Sequence, residues 1–434
     1  MSQVSSQSSV LLICLNGIFL DTEMTETVVR CERVYVTALN VIPLDDQPLI
    51  PAMEWKAMNN PGPYHHCPII ALDHLEFYVG NAKQASYVYE HQFGFTPIAF
   101  RGLETGYRKA VSYVLQQGGI RFVITSGFDP SYAINQSVAL HGDGVAIMAF
   151  AVTDVGQVYN HVVQRGAKGV IPPTDMDDDT GHFRFAAIQG YGNVVFKFVE
   201  RQHYGGLFEP GFVLYPGTRY ELPSTRSRRL SGMGLTHIDH VVGNVAMGAM
   251  DPWVDFFIQS LGFQLLVQFD QEAISTQYSA LRSKVVQTPT GSVKLPINEP
   301  AWGQRQSQIE EYLQFNQGPG VQHIALSTPD IIQAVRAMKQ AGVDFLMPPS
   351  TYYDELTARV GTIDEPINQL AELGILVDRD EMGYLLQIFT QPVGDRPTLF
   401  FEVIQRHRAT SFGEGNFKAL FEAIEREQAR RGNL

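Results

Sequence analysis

The sequence predicts an α+β fold of two related domains, each a pair of βαβββ modules, with a further helix at the C-terminus. Short patterns that occur in both halves predict this duplication. Leu72-Asp73-His74 in the first half matches Ile238-Asp239-His240 in the second. A chain of 434 residues is also long enough for two sizeable domains, each with its own core.

The first module of each half begins with a strand and a helix. Ile70 to Val79 is a run typical of a strand, and Ala85 to Phe93 carries aromatic residues at helical spacing. A glycine follows the last helical turn, as expected at a helix C-terminus. The second half repeats this plan with a strand around Val241-Val242, a helix from Trp253 to Leu261, and Gly262 after it.

The second module of each half follows the same order. Val321 to Ser327 predicts a strand, and Pro329 near the next helix start marks its first turn. Gly342 closes that helix. The matching module in the first half has a strand at Val145 to Val152 and a helix at Asp154 to Val163. Each half is therefore a pair of similar units.

These patterns divide the chain into four segments. We expect an N-terminal extension of unknown role at residues 1–66 and a first domain without a metal site at 67–203. Residues 204–229 are rich in Gly, Pro, Ser and Arg and show little periodicity, which predicts a linker. A second domain is expected at 230–434.

The C-terminus predicts a lid. Phe412 to Phe417 is an aromatic loop with two glycines, and it leads into an amphipathic helix with Leu420, Phe421 and Ile424 on one face. A flexible entry beside aromatic side chains suits a segment that covers a site from which water must be excluded.

Composition restricts the class of partner. The net charge of −13 argues against nucleic acid or an anionic membrane, because both require basic surfaces. The three cysteines, Cys14, Cys31 and Cys67, all lie in the first 67 residues, so no disulfide framework is expected in the body. We therefore expect a cytoplasmic protein.

The repeats differ where a metal would bind. Three equivalent positions hold His240, His323 and Glu402 in the second half, but His74, Ile147 and Lys197 in the first. Two His and one carboxylate form the facial triad of non-haem Fe(II) oxygenases, and Zn²⁺ also accepts such a set. Isoleucine and lysine cannot hold a divalent cation. The sequence thus predicts a metal centre in the second half only.

A series of motifs in the second half resembles the 4-hydroxyphenylpyruvate dioxygenases, a family of the vicinal oxygen chelate superfamily, and a weaker match begins near residue 69. The fold of that superfamily is a pair of glyoxalase-like open barrels. The matching stretches are Ile238 to Asn244, Leu295 to Pro300, Gln322-His323, Gly374 to Asp380, Leu385 to Thr390, Gly394 to Pro397, Phe400 to Glu402, and Phe412 to Phe417.

The resemblance implies an Fe(II) enzyme that converts 4-hydroxyphenylpyruvate and O₂ to homogentisate and CO₂ in tyrosine catabolism, as a homodimer or homotetramer. It implies that His240, His323 and Glu402 are the iron ligands. It also implies a set of residues around the substrate: Ser283, Asn298, Gln308, Gln322, Gln387, Phe389, Phe400, Phe412, Asn416 and Phe417.

Three alternatives stay open at this point. A 4-hydroxymandelate synthase would use the same substrate and iron but hydroxylate the benzylic carbon. Another metalloenzyme of this fold, such as an extradiol dioxygenase or a glyoxalase, would act on other substrates. A metal-free binding protein would keep the architecture without chemistry.

Overall fold

The computed structural model describes residues 67–216, 232–269 and 280–433. The predicted extension at 1–66 and residues 217–229 of the predicted linker lie outside the described residues. Within the part that is described, no helix is both long and apolar enough to cross a membrane.

The first half contains one sheet of nine strands, in the order β6-β7-β8-β5-β1-β4-β3-β2-β9. Its strands are β1 (Ile69–Tyr78), β2 (Thr96–Arg101), β3 (Ala110–Gln117), β4 (Ile120–Gly127), β5 (Gly144–Val152), β6 (Gly169–Asp178), β7 (Gly181–Gln189), β8 (Val195–Tyr204) and β9 (Val213–Leu214). Its helices are α1 (Ala82–Phe93), α2 (Ala133–His141) and α3 (Val155–Gln164).

The second half contains one sheet of eight strands, in the order β11-β12-β13-β10-β14-β17-β16-β15. Its strands are β10 (His237–Asn244), β11 (Gln264–Phe269), β12 (Ala280–Gln287), β13 (Lys294–Ala301), β14 (Gly320–Ser327), β15 (Leu376–Arg379), β16 (Tyr384–Phe389) and β17 (Phe400–His407). Its helices are α4 (Met250–Leu261), α5 (Gln308–Phe315), α6 (Ile331–Gln340), α7 (Leu356–Val360), α8 (Ile367–Leu373) and α9 (Phe417–Arg431).

The predicted α+β fold of duplicated modules with a C-terminal helix is confirmed. Helices α1 and α4 end at Gly94 and Gly262, whose φ angles of 76° and 69° lie in the left-handed region that glycine adopts at little cost. In the segment predicted as a linker, Val213–Leu214 forms β9 and pairs with β2, so the first sheet extends further along the chain than residue 203.

The two halves pack together through equivalent aromatic residues. Phe196, one residue before Lys197, lies with its ring 5.7 Å from that of Phe257 on α4. Phe401, one residue before Glu402, lies 4.9 Å from the ring of Phe93 on α1. Successive side chains on a strand face opposite sides. The position next to each aromatic residue therefore points away from the interface, into the concave side of its own sheet.

Strand register brings the equivalent positions together. In the second half, His240 on β10 pairs with Ala325 on β14, and Ala325 pairs with Glu402 on β17. In the first half, His74 pairs with Ala149, and Ala149 pairs with Lys197. The fold thus places three neighbouring strands so that each delivers one side chain to the same concave surface.

Candidate metal centre

The three predicted ligands converge on the concave side of the second sheet. Nε2 of His240 lies 3.2 Å from Oε2 of Glu402, and Nε2 of His323 lies 3.5 Å from the same oxygen. One ligand atom from each residue lies within 4.8 Å of the others. The first and last of these residues, His240 and Glu402, are 162 positions apart in the sequence, and the pairing of β10, β14 and β17 brings all three together.

The donor set fits a divalent metal ion. Oε1 of Glu402 is buried and has no hydrogen-bond partner among the described residues, although a buried carboxylate oxygen is costly to leave unsatisfied. Two imidazole nitrogens and a carboxylate leave open positions on the ion, as in Fe(II) oxygenases, and the set is also compatible with Zn²⁺. A metal bound here would supply the missing partner of Glu402.

Charge coupling also favours a cation at this position. Burial would raise the pKa of Glu402, but the two imidazoles outweigh it and the pKa is lowered. Burial lowers the pKa of His323. For His240, burial acts in the same direction, yet the Glu402 carboxylate and the hydrogen bond to Asp239 leave the pKa raised. The carboxylate is therefore ionised, and it attracts positive charge into the site.

An aspartate fixes the orientation of His240. Nδ1 of His240 lies 2.8 Å from Oδ1 of Asp239, and Arg406 donates two hydrogen bonds to the same carboxylate, at 2.7 and 2.8 Å. Burial disfavours the charge of Asp239, but these contacts hold its pKa well below the usual range. With Nδ1 protonated and held by Asp239, Nε2 is left for the metal.

Gln322 supports His323 through an irregularity in the strand. The register between β10 and β14 shifts at this point, because Val242 pairs with His323 while Gly243 pairs with Val321. Gln322 is the extra residue of this bulge, so it is not forced to the opposite face. Its Oε1 lies 3.0 Å from Nδ1 of His323, and the residue lines the cavity. On a regular strand it would point away from the metal.

The cavity beside the ligands has a volume of about 590 Å³. Eight of the ten residues predicted around the substrate line it: Ser283, Asn298, Gln308, Gln322, Phe389, Phe400, Phe412 and Phe417. The ring of Phe400 stacks on that of His323 with centroids 4.8 Å apart. The wall is thus mostly aromatic, with four hydroxyl or amide groups that bind polar atoms without introducing a charge.

Two predicted pocket residues lie behind the wall. Gln387 is buried against Gly413, where a Cβ atom would clash with the amide group and where φ is 79°. Asn416 is fully buried and accepts a hydrogen bond of 2.6 Å from the Tyr352 hydroxyl. Both residues are therefore placed to shape the loop before α9, and neither lines the cavity.

The ten residues predicted around the substrate did not include several apolar residues of the wall, although Leu420 and Phe421 were expected on one face of the lid helix. These apolar residues are Val242, Phe269, Leu281, Val285, Pro296, Leu420 and Phe421. Two of them could have been predicted from strand alternation. Leu281 and Val285 lie two residues before and after Ser283, so they share its face of the strand. The role of Asp239 and Arg406 was also missed, although both residues recur in the first half as Asp73 and Arg201.

The C-terminal helix covers the cavity and is tied to the helix that carries Gln308. Arg431, near the end of α9, reaches the buried carboxylate of Glu311 on α5, with Nη2 2.8 Å from Oε2 and Nε 3.2 Å from Oε1. At the other end of α9, the ring of Phe412 lies 5.1 Å from that of His240. The helix is therefore anchored at both ends of the cavity mouth.

We expect Arg431→Gln to raise the KM for the substrate roughly three- to tenfold, because the variant loosens α9 and leaves Glu311 with a weaker partner. Steady-state kinetics and amide hydrogen exchange of α9 measure the effect. Arg430→Gln is the matched control, since Arg430 pairs only at the surface with Glu427. Equal kinetics for the two variants would contradict a role of the Arg431–Glu311 contact in holding α9 over the cavity.

Comparison with known proteins agrees with this geometry. The family model described as "Hydroxyphenylpyruvate dioxygenase, HPPD, N-terminal" matches residues 66–212. The model described as "Glyoxalase/Bleomycin resistance protein/Dioxygenase superfamily" matches residues 237–388. Together they cover both repeats of the chain, including two of the three ligand positions.

Curated relatives match over nearly their whole length. The 4-hydroxyphenylpyruvate dioxygenase of Aspergillus fumigatus is 46% identical, with 83% of this chain and 93% of the relative covered. Those of Tetrahymena thermophila and Caenorhabditis elegans are each 44% identical, with 84% of this chain and 92% and 93% of the relatives covered.

Among solved structures, a mutant of 4-hydroxymandelate synthase from Streptomyces coelicolor superposes with a TM-score of 0.74 at 31% identity, covering 83% of this chain and 99% of that one. The identity to this structure is lower than that to the curated dioxygenases. The chain therefore belongs to the 4-hydroxyphenylpyruvate dioxygenase family.

Proposed function

We propose that this enzyme of the 4-hydroxyphenylpyruvate dioxygenase family binds Fe(II) through His240, His323 and Glu402 and uses it to convert 4-hydroxyphenylpyruvate and O₂ to homogentisate and CO₂. The observation that carries the proposal is the convergence of two imidazoles on the Glu402 carboxylate, whose second oxygen has no hydrogen-bond partner among the described residues, at one wall of an aromatic cavity. Iron, when bound, would supply open positions for the 2-oxo acid and O₂ together with the redox chemistry.

The side chains around the cavity bind and orient the substrate ring. Phe389 and Phe400 present aromatic faces beside His323, with ring centroids 6.1 and 4.8 Å from the imidazole. A substrate ring held between such faces stays close to the metal with little loss of side-chain entropy. Regiospecific attack on the ring requires this restriction.

Neutral polar groups at the cavity wall suit the phenol of the substrate. Ser283 on β12 and Asn298 on β13 are direct partners across the two strands. The side-chain nitrogen of Asn298 donates a hydrogen bond of 3.3 Å to Oδ1 of Asn244. The side-chain oxygen of Asn298 takes no part in that bond. Gln308 adds a second amide from α5. Such groups bind a hydroxyl while the phenol keeps its proton.

The residues of the C-terminal segment exclude water during the reaction. Phe412, Phe417, Leu420 and Phe421 form the apolar cover of the cavity. Exclusion of water protects reactive species from side reactions and strengthens the electrostatic contacts inside the site. We infer that α9 must move for substrate to enter, because its side chains contribute directly to the cavity wall.

Anaerobic titration with Fe²⁺ and 4-hydroxyphenylpyruvate tests the proposal. We expect one Fe²⁺ per chain, a charge-transfer absorption of the 2-oxo acid on iron, and homogentisate as the product after O₂ is admitted. Hydroxymandelate without homogentisate would favour the synthase alternative, which the solved structure of that class makes the nearest competitor. Folded protein that binds the keto acid without iron would instead indicate a metal-free binding protein.

The remaining expectations concern assembly, which rests on the resemblance, and location and domain bounds, which rest on the sequence patterns. We propose a homodimer or homotetramer in the cytoplasm, with a first domain at 67–203 that holds no metal and a catalytic domain at 230–434. In the first half, Ile147 and Lys197 occupy two of the positions that hold ligands in the second. Analytical ultracentrifugation of the purified enzyme measures the assembly directly.

A further inference from the structure

The first half retains a cavity at the place that corresponds to the active site. Its space of about 750 Å³, part of it open to solvent, is comparable with the space of about 590 Å³ beside the proposed metal ligands. Protein interiors are close-packed, so a pocket of this size between buried side chains has room for water or a small ligand. The residues that replace the metal ligands in the first half therefore face a space that other side chains have not filled.

The polar wall of this cavity corresponds to the substrate side of the catalytic one. Ser112 on β3 pairs with Thr125 on β4, as Ser283 pairs with Asn298 in the second half. The Thr125 hydroxyl contacts Ser112 at 2.9 Å and donates to Glu76 at 2.7 Å. Hydrogen-bonding groups thus persist on the side where a substrate would lie.

The side of the cavity that corresponds to the metal carries a fixed cation. Lys197 takes the register position of Glu402, and its ammonium group lies 2.6 Å from the Glu209 carboxylate and 4.9 Å from the Phe185 ring. The ammonium group has three donors, and Glu209 is the one hydrogen-bond partner described for it. Lys197 and Glu209 are 7% and 2% exposed, so water competes weakly for the remaining donors.

Aromatic rings and a second cation complete the wall. The Arg101 guanidinium lies 4.3 Å from the Tyr107 ring and 4.6 Å from the Phe212 ring. Ala187 pairs with Lys197 as Phe389 pairs with Glu402, so the two positions are equivalent. The small side chain of Ala187 leaves room for a ring. The cavity is therefore wide enough for an aromatic group beside Phe185, Tyr107 and Phe212.

The balance of charge selects the class of ligand. The wall holds two cations, Arg101 and Lys197, against the carboxylates of Glu209 and Glu76. Burial raises the pKa of Glu76, and Thr125 and Lys197 only partly oppose this, so the Glu76 charge is disfavoured. Lys197 and Arg101 offer cationic partners to a single carboxylate, while the Glu209 carboxylate at the same wall disfavours a more highly charged phosphate or dicarboxylate.

We propose that this cavity is a second small-molecule site, which binds an aromatic monocarboxylate with its carboxylate on the Lys197 ammonium and its ring beside Phe185. The site does not depend on the metal centre and needs no chemistry. Its ligand class overlaps with that of the catalytic substrate, because the two cavities share their architecture.

Equilibrium dialysis of the iron-loaded full chain under nitrogen, with 4-fluorophenylacetate as the probe and fluorine NMR for detection, tests the proposal. Ala187→Phe introduces into this cavity the phenyl group that Phe389 contributes at the equivalent position of the second half. We expect it to remove one bound probe per chain, while the melting temperature and the turnover stay as in the parent. Leu281→Trp, which narrows the catalytic cavity instead, should leave that molecule bound.

A double variant, Lys197→Met with Glu209→Gln, tests the cation and removes the carboxylate that pairs with it at the same time. We expect at least tenfold weaker binding at this site. The proposal is overturned if the parent binds no probe outside the catalytic cavity, if Ala187→Phe binds as many molecules as the parent, or if the double variant keeps the parent affinity. Should Ala187→Phe fail to fold, the double variant decides the question alone.

Discussion

Replacement of Glu402 by alanine is expected to abolish iron binding and turnover together. The variant removes the carboxylate that we propose as the acidic ligand, and it leaves two imidazoles in an edge-to-face arrangement with ring centroids 5.8 Å apart. Loss of an outer partner of a metal ligand already costs about 10- to 100-fold in affinity or activity, so loss of a ligand itself should exceed about 100-fold. Iron content after anaerobic reconstitution, measured beside homogentisate formation, checks the result.

The isosteric variant Glu402→Gln separates charge from shape. It keeps the volume of the side chain and one oxygen, but it loses the negative charge that two histidines stabilise in the parent. We expect it to bind iron much more weakly than the parent, with an unchanged circular dichroism spectrum. Full turnover by either variant would mean that the acidic ligand is another residue.

Replacement of Asp239 by asparagine is expected to weaken iron binding about 10- to 100-fold. An asparagine cannot be a charged acceptor for the His240 Nδ1 proton, and it leaves Arg406 without its ionic partner. Arg406 also donates to the carbonyl oxygen of Ser411, at 2.6 Å, in the loop that leads to Phe412. The variant should therefore disturb both the imidazole and the cover of the cavity. Competitive titration with a chelator measures the affinity.

The first half provides a matched control for Asp239. Asp73 contacts Nδ1 of His74 at 2.6 Å and accepts two hydrogen bonds from Arg201, at 2.8 and 2.9 Å. Asp73→Asn removes the same kind of carboxylate from an equivalent network in the half where we propose that no metal binds. It should lower the free energy of unfolding without changing iron affinity. Equal losses of iron affinity in the two variants would show that the effect is a general loss of stability.

The convergence of the three proposed ligands could be predicted because the repeat supplies an internal comparison. His240, His323 and Glu402 stand where the first half has one retained and two replaced residues, and strand alternation directs the three to one face. The fold followed from the same signal, since the helices end at glycines in matching places. At these positions the local sequence pattern and the observed fold lead to the same assignment.

Other features depend on geometry that the sequence does not express. The bulge at Gln322 turns a residue expected to face away into a cavity residue beside His323. Gln387 shares a strand face with Phe389, yet the loop at Gly413 packs over it and separates it from the cavity. Contacts such as Arg431 with Glu311 join segments 120 positions apart, and no local pattern marks them.

Anomalous diffraction at the iron edge, from crystals of the anaerobically loaded enzyme, tests the central claim most directly. We predict one strong peak per chain, within bonding distance of Nε2 of His240, Nε2 of His323 and a carboxylate oxygen of Glu402. Iron located at any other group of side chains, or crystals of active enzyme with no iron between these three residues, would contradict the account.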